Sequence, residues 1–169
     1  MYKYFLLFFS IMLFAGCSKN ESTQPAQTDI KVYGYIRGEL NGTSWYSDII
    51  SVSKKNNTTY IKAVKILTDN PTYSSTEINF RLINISQPVG YAIGEDEPGY
   101  VYAVKADYTL KAKAGNDNVF KVYYLDYSRM TISRVNDQGL NADFHFKAYN
   151  DSFTDSVEIT SGKIELEFK

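Results

Sequence analysis

Ala142-Asp143-Phe144-His145-Phe146-Lys147-Ala148-Tyr149 alternates apolar and mostly polar side chains at every step. In a strand, successive side chains point to opposite faces, so this octet has one face for a core and one for water. A helix would spread the same four apolar residues around its axis instead. The stretch reads as a half-buried strand.

The period of two recurs on both sides of it. Ile78, Phe80 and Leu82 oppose Glu77, Asn79 and Arg81, and Ile164, Leu166 and Phe168 oppose Lys163, Glu165, Glu167 and Lys169. Residues 102–114 contain alanine and lysine, which also favour helices. Yet Tyr102, Val104, Ala106, Tyr108, Leu110 and Ala112 fall on every second position, and strand explains that better. Asn41-Gly42, between residues 30–40 and 45–52, is a strong hairpin signal. Lys55-Asn56-Asn57-Thr58, Gly115-Asn116-Asp117-Asn118, Asn136-Asp137-Gln138-Gly139 and Ser161-Gly162 punctuate the rest as turns. About nine strands result, with no amphipathic helix. Most links suit hairpins, while residues 86–100 are long enough to cross between sheets. The expected fold is all-β, an antiparallel β-sandwich or flattened barrel; the alternative is a lipocalin-like meander barrel.

At 169 residues the chain fits one domain, and no internal repeat or domain boundary interrupts it. Tyrosine (15) and phenylalanine (10) dominate its aromatics, both suited to a pleated surface. A net charge of −1 offers no basic excess for phosphates, so no nucleic-acid partner is expected.

The amino-terminal end follows another plan. Lys3 precedes an uncharged run, Tyr4-Phe5-Leu6-Leu7-Phe8-Phe9-Ser10-Ile11-Met12-Leu13-Phe14, and small Ala15-Gly16 lead into Cys17. That is the layout of a secretory signal over residues 1–16, too short to span a bilayer permanently. Phe14-Ala15-Gly16-Cys17 resembles a lipobox, whose cysteine is acylated and becomes the new terminus; leucine is the common residue where Phe14 stands. Cys17 is the only cysteine, so no disulfide competes for it. Acyl chains would anchor the protein at about 0.8 kcal/mol per buried methylene. Residues 17–29 then read as the acylated cysteine and a polar, flexible tether, and residues 30–169 as a single all-β domain. Ser18 after the cysteine resembles lipoproteins forwarded to the outer membrane. The expected location is the outer membrane by lipid anchor, with either leaflet open.

Further motifs carry a family resemblance. Asn41-Gly42-Thr43-Ser44-Trp45 resembles the N-G-x-x-W hairpin of small lipid-anchored, all-β lipoproteins of the Bacteroidetes group. Met130-Thr131-Ile132-Ser133, residues 140–148, and Val157-Glu158-Ile159-Thr160-Ser161-Gly162-Lys163-Ile164 are similar to that group's closing strands. The family is a domain of unknown function, so the resemblance implies export, anchoring and an all-β fold but no chemistry. Val89-Gly90-Tyr91 and the acidic loop after it depart from its pattern.

Catalytic and metal signals are weak. His145 is the only histidine and sits on the outward face, without a nucleophile elbow. Zinc needs several His or Cys ligands, and Cys17 is committed to lipid. Glu95-Asp96-Glu97 lies in the longest loop; it reads as a solvated tip rather than a calcium site. No catalytic residue, metal or cofactor is expected, and the chain reads as a non-enzyme. Trp45, the only tryptophan, is expected to plug one end of the core.

Tyrosines are the notable surplus. Tyr100, Tyr102, Tyr108, Tyr123, Tyr124 and Tyr127 follow Tyr33, Tyr35, Tyr46 and Tyr60. Adjacent Tyr123 and Tyr124 cannot both face a core. Tyr100, Tyr102, Tyr123, Tyr124 and Tyr127 are therefore the candidate ligand-binding residues, since exposed tyrosines make platforms for sugars or partners. Asp155-Ser156-Val157 resembles the short sequence this bacterial group O-glycosylates at Ser156, and serves equally as a turn into a strand. Three roles follow: binding a glycan, peptide or envelope partner; a structural subunit of an envelope complex; or a lipocalin-like carrier of a small apolar ligand. Outward tyrosines on one face, a large apolar patch, or an internal cavity would mark each in turn.

Overall fold

A computed structural model describes residues 28–123 and 127–169, all of them strand or connecting loop. In chain order the strands are β1 (Thr28–Ile30), β2 (Val32–Leu40), β3 (Thr43–Ser47), β4 (Ile49–Lys55), β5 (Thr58–Ile66) and β6 (Tyr73–Ile83). After them come β7 (Gly90–Ala92), β8 (Val104–Ala112), β9 (Asn118–Val122), β10 (Arg129–Asn136), β11 (Gly139–Tyr149) and β12 (Ser156–Phe168). They pair antiparallel in the order β1-β4-β5-β6-β8-β9-β11-β12-β2-β3, with β10 beside β11 and β7 beside β10. The first hairpin turn sits where the sequence places it. Asn41 and Gly42 both take positive φ (47° and 76°), as a two-residue hairpin turn requires.

This sheet folds over on itself. β6 and β11 are three places apart in the pairing order, yet the ring of Phe80 meets Phe144 at 5.0 Å and Phe146 at 6.1 Å, edge to face. One layer is β1-β4-β5-β6-β8-β9 and the other is β7-β10-β11-β12-β2-β3. They join where β11 pairs β9 through only Ala148↔Val122 and Tyr149↔Lys121. The core between them is continuous, with Ile36, Trp45, Ile61, Ile78, Phe80, Tyr108, Met130 and Phe146 all buried.

Among the described residues twelve strands replace the expected nine, for identifiable reasons. Residues 45–52 form two strands because Ser47 turns the corner. Its hydroxyl accepts from the Ile49 amide (3.1 Å) and donates to the Val64 carbonyl (2.6 Å), stepping the chain from β3 in one layer to β4 in the other. β7 lies in the long connection, which does cross between layers: it leaves β6, pairs with β10, and returns to β8. Thr28 and Asp29, expected in the tether, already pair with Lys54 and Ser53 in β1. Ser161-Gly162 is no turn but lies inside the thirteen-residue β12. The lipocalin-like alternative fails, because the strand order is not a meander, the sheet does not close, and side chains fill its interior.

Candidate functional site

The outward face of the β10-β11-β12-β2-β3 layer carries an open groove. Register sets its walls. Tyr46 on β3 is paired with Arg37 on β2, Arg37 with Lys163 on β12, Lys163 with Asp143 on β11, and Asp143 with Thr131 on β10. All five side chains point outward in one row across five strands. Ser44 and Glu39 begin a second row, which ends at His145 and Arg129.

Between the rows β12 bulges. Pairing slips between Thr160 and Lys163 on the β2 side and opposite Phe144–Phe146 on the β11 side. Ser161 takes φ 51°, and Gly162 must be glycine: a Cβ there would lie 2.5 Å from the Phe144 ring. Gly38 faces it, where a Cβ would come within 3.3 Å of the Gly162 Cα. Both missing side chains would point inward, toward Phe144 and Ile159, and on the outward side the backbones of Gly38 and Gly162 floor a trough of about 900 Å³, open to solvent. Four strand spacings make it roughly 19 Å long.

Aromatic and charged groups are fixed beside it. The rings of Tyr35 and Tyr46 stack at 5.9 Å and 27°, and the Arg37 guanidinium lies 5.6 Å from the Tyr35 ring centre. Lys163 pairs with Glu165 at 2.7 Å. Hydrogen bonds from Lys163 and then Tyr35 hold the Glu165 carboxyl below its ordinary range, while the bond to Glu165 holds Lys163 above its own. Both shifts point away from neutrality, so this part of the face keeps its charges at neutral pH. A smaller hollow of about 340 Å³ continues along Tyr33, Tyr35 and Glu165. Tyr33, Tyr35 and Tyr46 therefore gather on one face. Donors, acceptors and a stacked aromatic edge along a trough suit a polyhydroxylated ligand.

A second depression, about 750 Å³, opens at the pole between the layers. Leu82, Val135, Leu140 and Phe168 line it, and Lys54 reaches across to Asp137 at 3.9 Å.

The chain matches no family model, no curated protein and no solved structure. Its site is read from geometry alone.

The five tyrosines singled out in the sequence do not form one surface. Tyr102 is only 4% exposed, turned inward because it continues the alternation of β8 and covers Gly94. That excludes it as a platform. Tyr100 is 57% exposed and packs on Tyr102 at 4.6 Å. Tyr123 leans on Phe153 at 4.9 Å, which also meets Tyr149 at the β11–β12 turn. Tyr127, 87% exposed, offers its carbonyl to His145 Nε2 at 2.7 Å. Tyr124 and Cys17 lie outside the described residues.

Other candidates fall into place. Ser156 opens β12 half-buried, its amide donating to Asp155 Oδ1 at 2.8 Å. Trp45 is buried as expected. The acidic loop is no free tip: Asp96 ion-pairs with Lys105, and Glu95 approaches Arg81 at 3.6 Å. No group of three or more His, Cys, Asp or Glu among the described residues could hold a metal ion. Sequence reading missed the groove because it depends on which strands become neighbours. One signal for it was present: apolar residues fall on odd numbers through Val157 and Ile159, then on even numbers from Ile164. That change of phase at Ser161-Gly162 is the mark of a bulge.

Proposed function

We propose that this chain is an exported, non-catalytic lipoprotein, anchored to the outer membrane through acylated Cys17, whose outward sheet face binds a glycan. The observation that carries the reading is the row Tyr46–Arg37–Lys163–Asp143 beside a glycine-floored trough. Sugars present hydroxyls that donate and accept at once, together with apolar ring faces. The trough answers with acceptors from Asp143 and Glu39, donors from Arg37, Arg129 and Lys163, and the Tyr46 ring. The signal at residues 1–16 and the lipobox-like ending at Cys17 support export and anchoring.

Screening the detergent-solubilised chain on a glycan array tests this. A glycan that binds wild type and loses about tenfold or more in affinity with Tyr46→Ala supports the reading. An array with no signal above background overturns it.

A further inference from the structure

The groove holds more cations than carboxylates. Arg37, Arg129 and Lys163 line it against Glu39 and Asp143. Arg37 and Lys163 are direct register partners on β2 and β12, and like charges so placed repel. Lys163 is compensated by Glu165 on its own strand. Arg37 has no carboxylate within ion-pair distance among the described residues; its guanidinium rests on the Tyr35 ring.

Arg129 repeats the situation at the far end. It is exposed, and no carboxylate among the described residues pairs with it. Its guanidinium lies against the bare backbone of Gly90, where a Cβ would sit 2.3 Å from Nη2. Each arginine is therefore braced by an uncharged neighbour and makes no ion pair among the described residues, Glu165 acting on Arg37 only at longer range. A guanidinium fork in that state is suited to bidentate binding of a carboxylate. β2 and β10 are three strand spacings apart, roughly 14 Å, so the two forks meet separate units of one chain.

We propose that Arg37 and Arg129 make this groove selective for acidic glycans, oligosaccharides carrying carboxylates on their sugars. The inference rests on the glycan-binding reading above and narrows it. An acidic peptide would satisfy the arginines too, but it brings one backbone N–H per residue where Asp143 and Glu39 can accept from several hydroxyls on each sugar ring.

Titration calorimetry on the detergent-solubilised full chain decides it. The probes are tetragalacturonate, tetramannuronate and a chondroitin tetrasaccharide, with methyl-esterified tetragalacturonate as the uncharged counterpart and tetraglutamate as the peptide. At least one acidic oligosaccharide binds, and the acid form of tetragalacturonate exceeds its ester by about tenfold or more. Arg37→Gln and Arg129→Gln each remove most of that preference, whereas Lys121→Gln, remote from the groove, leaves it. Raising salt weakens the acid form and spares the ester. Equal affinity for acid and ester, or binding of neutral glycans alone, overturns the selectivity and leaves the glycan reading standing. Tetraglutamate binding as tightly as the best sugar overturns it in favour of a peptide. If no glycan of any charge binds, the glycan reading itself falls.

Discussion

The indole Nε1 of Trp45 donates to Thr76 Oγ1 at 2.8 Å, one hydrogen bond passing through the core from β3 to β6. It ties the two layers together by a polar contact inside a largely apolar core. Thr76 also hydrogen-bonds the Tyr108 hydroxyl, whose pKa burial nevertheless pushes up to about 12. Thr76→Val leaves the buried indole N–H without its acceptor and lowers stability by about 1–3 kcal/mol. Adding Trp45→Phe to that variant costs less than the two single effects summed, because the orphaned donor disappears. Urea denaturation of the four proteins measures both.

Gly162→Ala brings a methyl group to within 2.5 Å of the Phe144 ring and 2.6 Å of the Phe144 carbonyl oxygen. Ring and strand must shift, at a cost of about 1–3 kcal/mol. Thermal unfolding reports the loss. The exposed control Ser44→Ala, on the groove rim, leaves the melting temperature unchanged.

Asp107 is partly buried, and desolvation holds its carboxyl above the ordinary range despite hydrogen bonds from Asn79 (2.7 Å) and Thr109 (3.4 Å). Nearby Arg81 lowers it and Glu77 raises it. A raised folded-state pKa means the folded chain holds the proton more tightly than the unfolded chain. This group's contribution to stability therefore improves as pH falls from neutral through that raised value. Asp107→Asn matches or exceeds wild type at pH 7, within about 1 kcal/mol, and the difference shrinks toward pH 4. Denaturation curves at the two pH values show it.

Asp96 behaves in the opposite sense. Its bond to Lys105, and after it the Tyr102 amide at 3.1 Å, hold the carboxyl below its ordinary range against desolvation. A depressed folded-state pKa gives stability that is present above about pH 4 and lost as pH falls through the depressed value. Asp96→Ala therefore lowers the hydrogen-exchange protection of the Tyr102 amide at pH 7. Wild type loses the same protection on acidification. Exchange rates corrected for intrinsic pH dependence distinguish this from simple acid effects.

Cys17→Ala abolishes metabolic incorporation of a labelled fatty acid and leaves an uncleaved precursor. Unchanged labelling overturns the anchor.

The alternation in residues 142–149 was enough to predict β11, and the same rule located most of the core. What it could not reach was spatial. Asp48 sits in a run that looks like one strand, and only the Ser47 hydroxyl, serving Ile49 and Val64 together, turns it into a corner. The groove was hidden for a related reason: Arg37, Lys163, Asp143 and Thr131 are far apart in sequence and meet only through register. Tyrosine counts pointed to the middle of the chain. There, inward packing claims Tyr102 and aromatic contact engages Tyr123, while Tyr33, Tyr35 and Tyr46 form the shared face.

Thr28 pairs with Lys54, beside the turn at residues 55–58, so the first described residue lies at one pole. β2 leaves the same pole, since Val32 pairs with Phe168, whose ring centre lies 5.8 Å from Lys54 Nζ, and Arg37 stands five residues on, roughly 17 Å of extended chain. The trough crosses the strands rather than following them. Any surface that holds the protein by that pole would have a polymer lying crosswise above it, along the surface rather than into it. Neighbouring copies then share one strand, and each weak hold raises the effective concentration for the next, so avidity can grow with crowding.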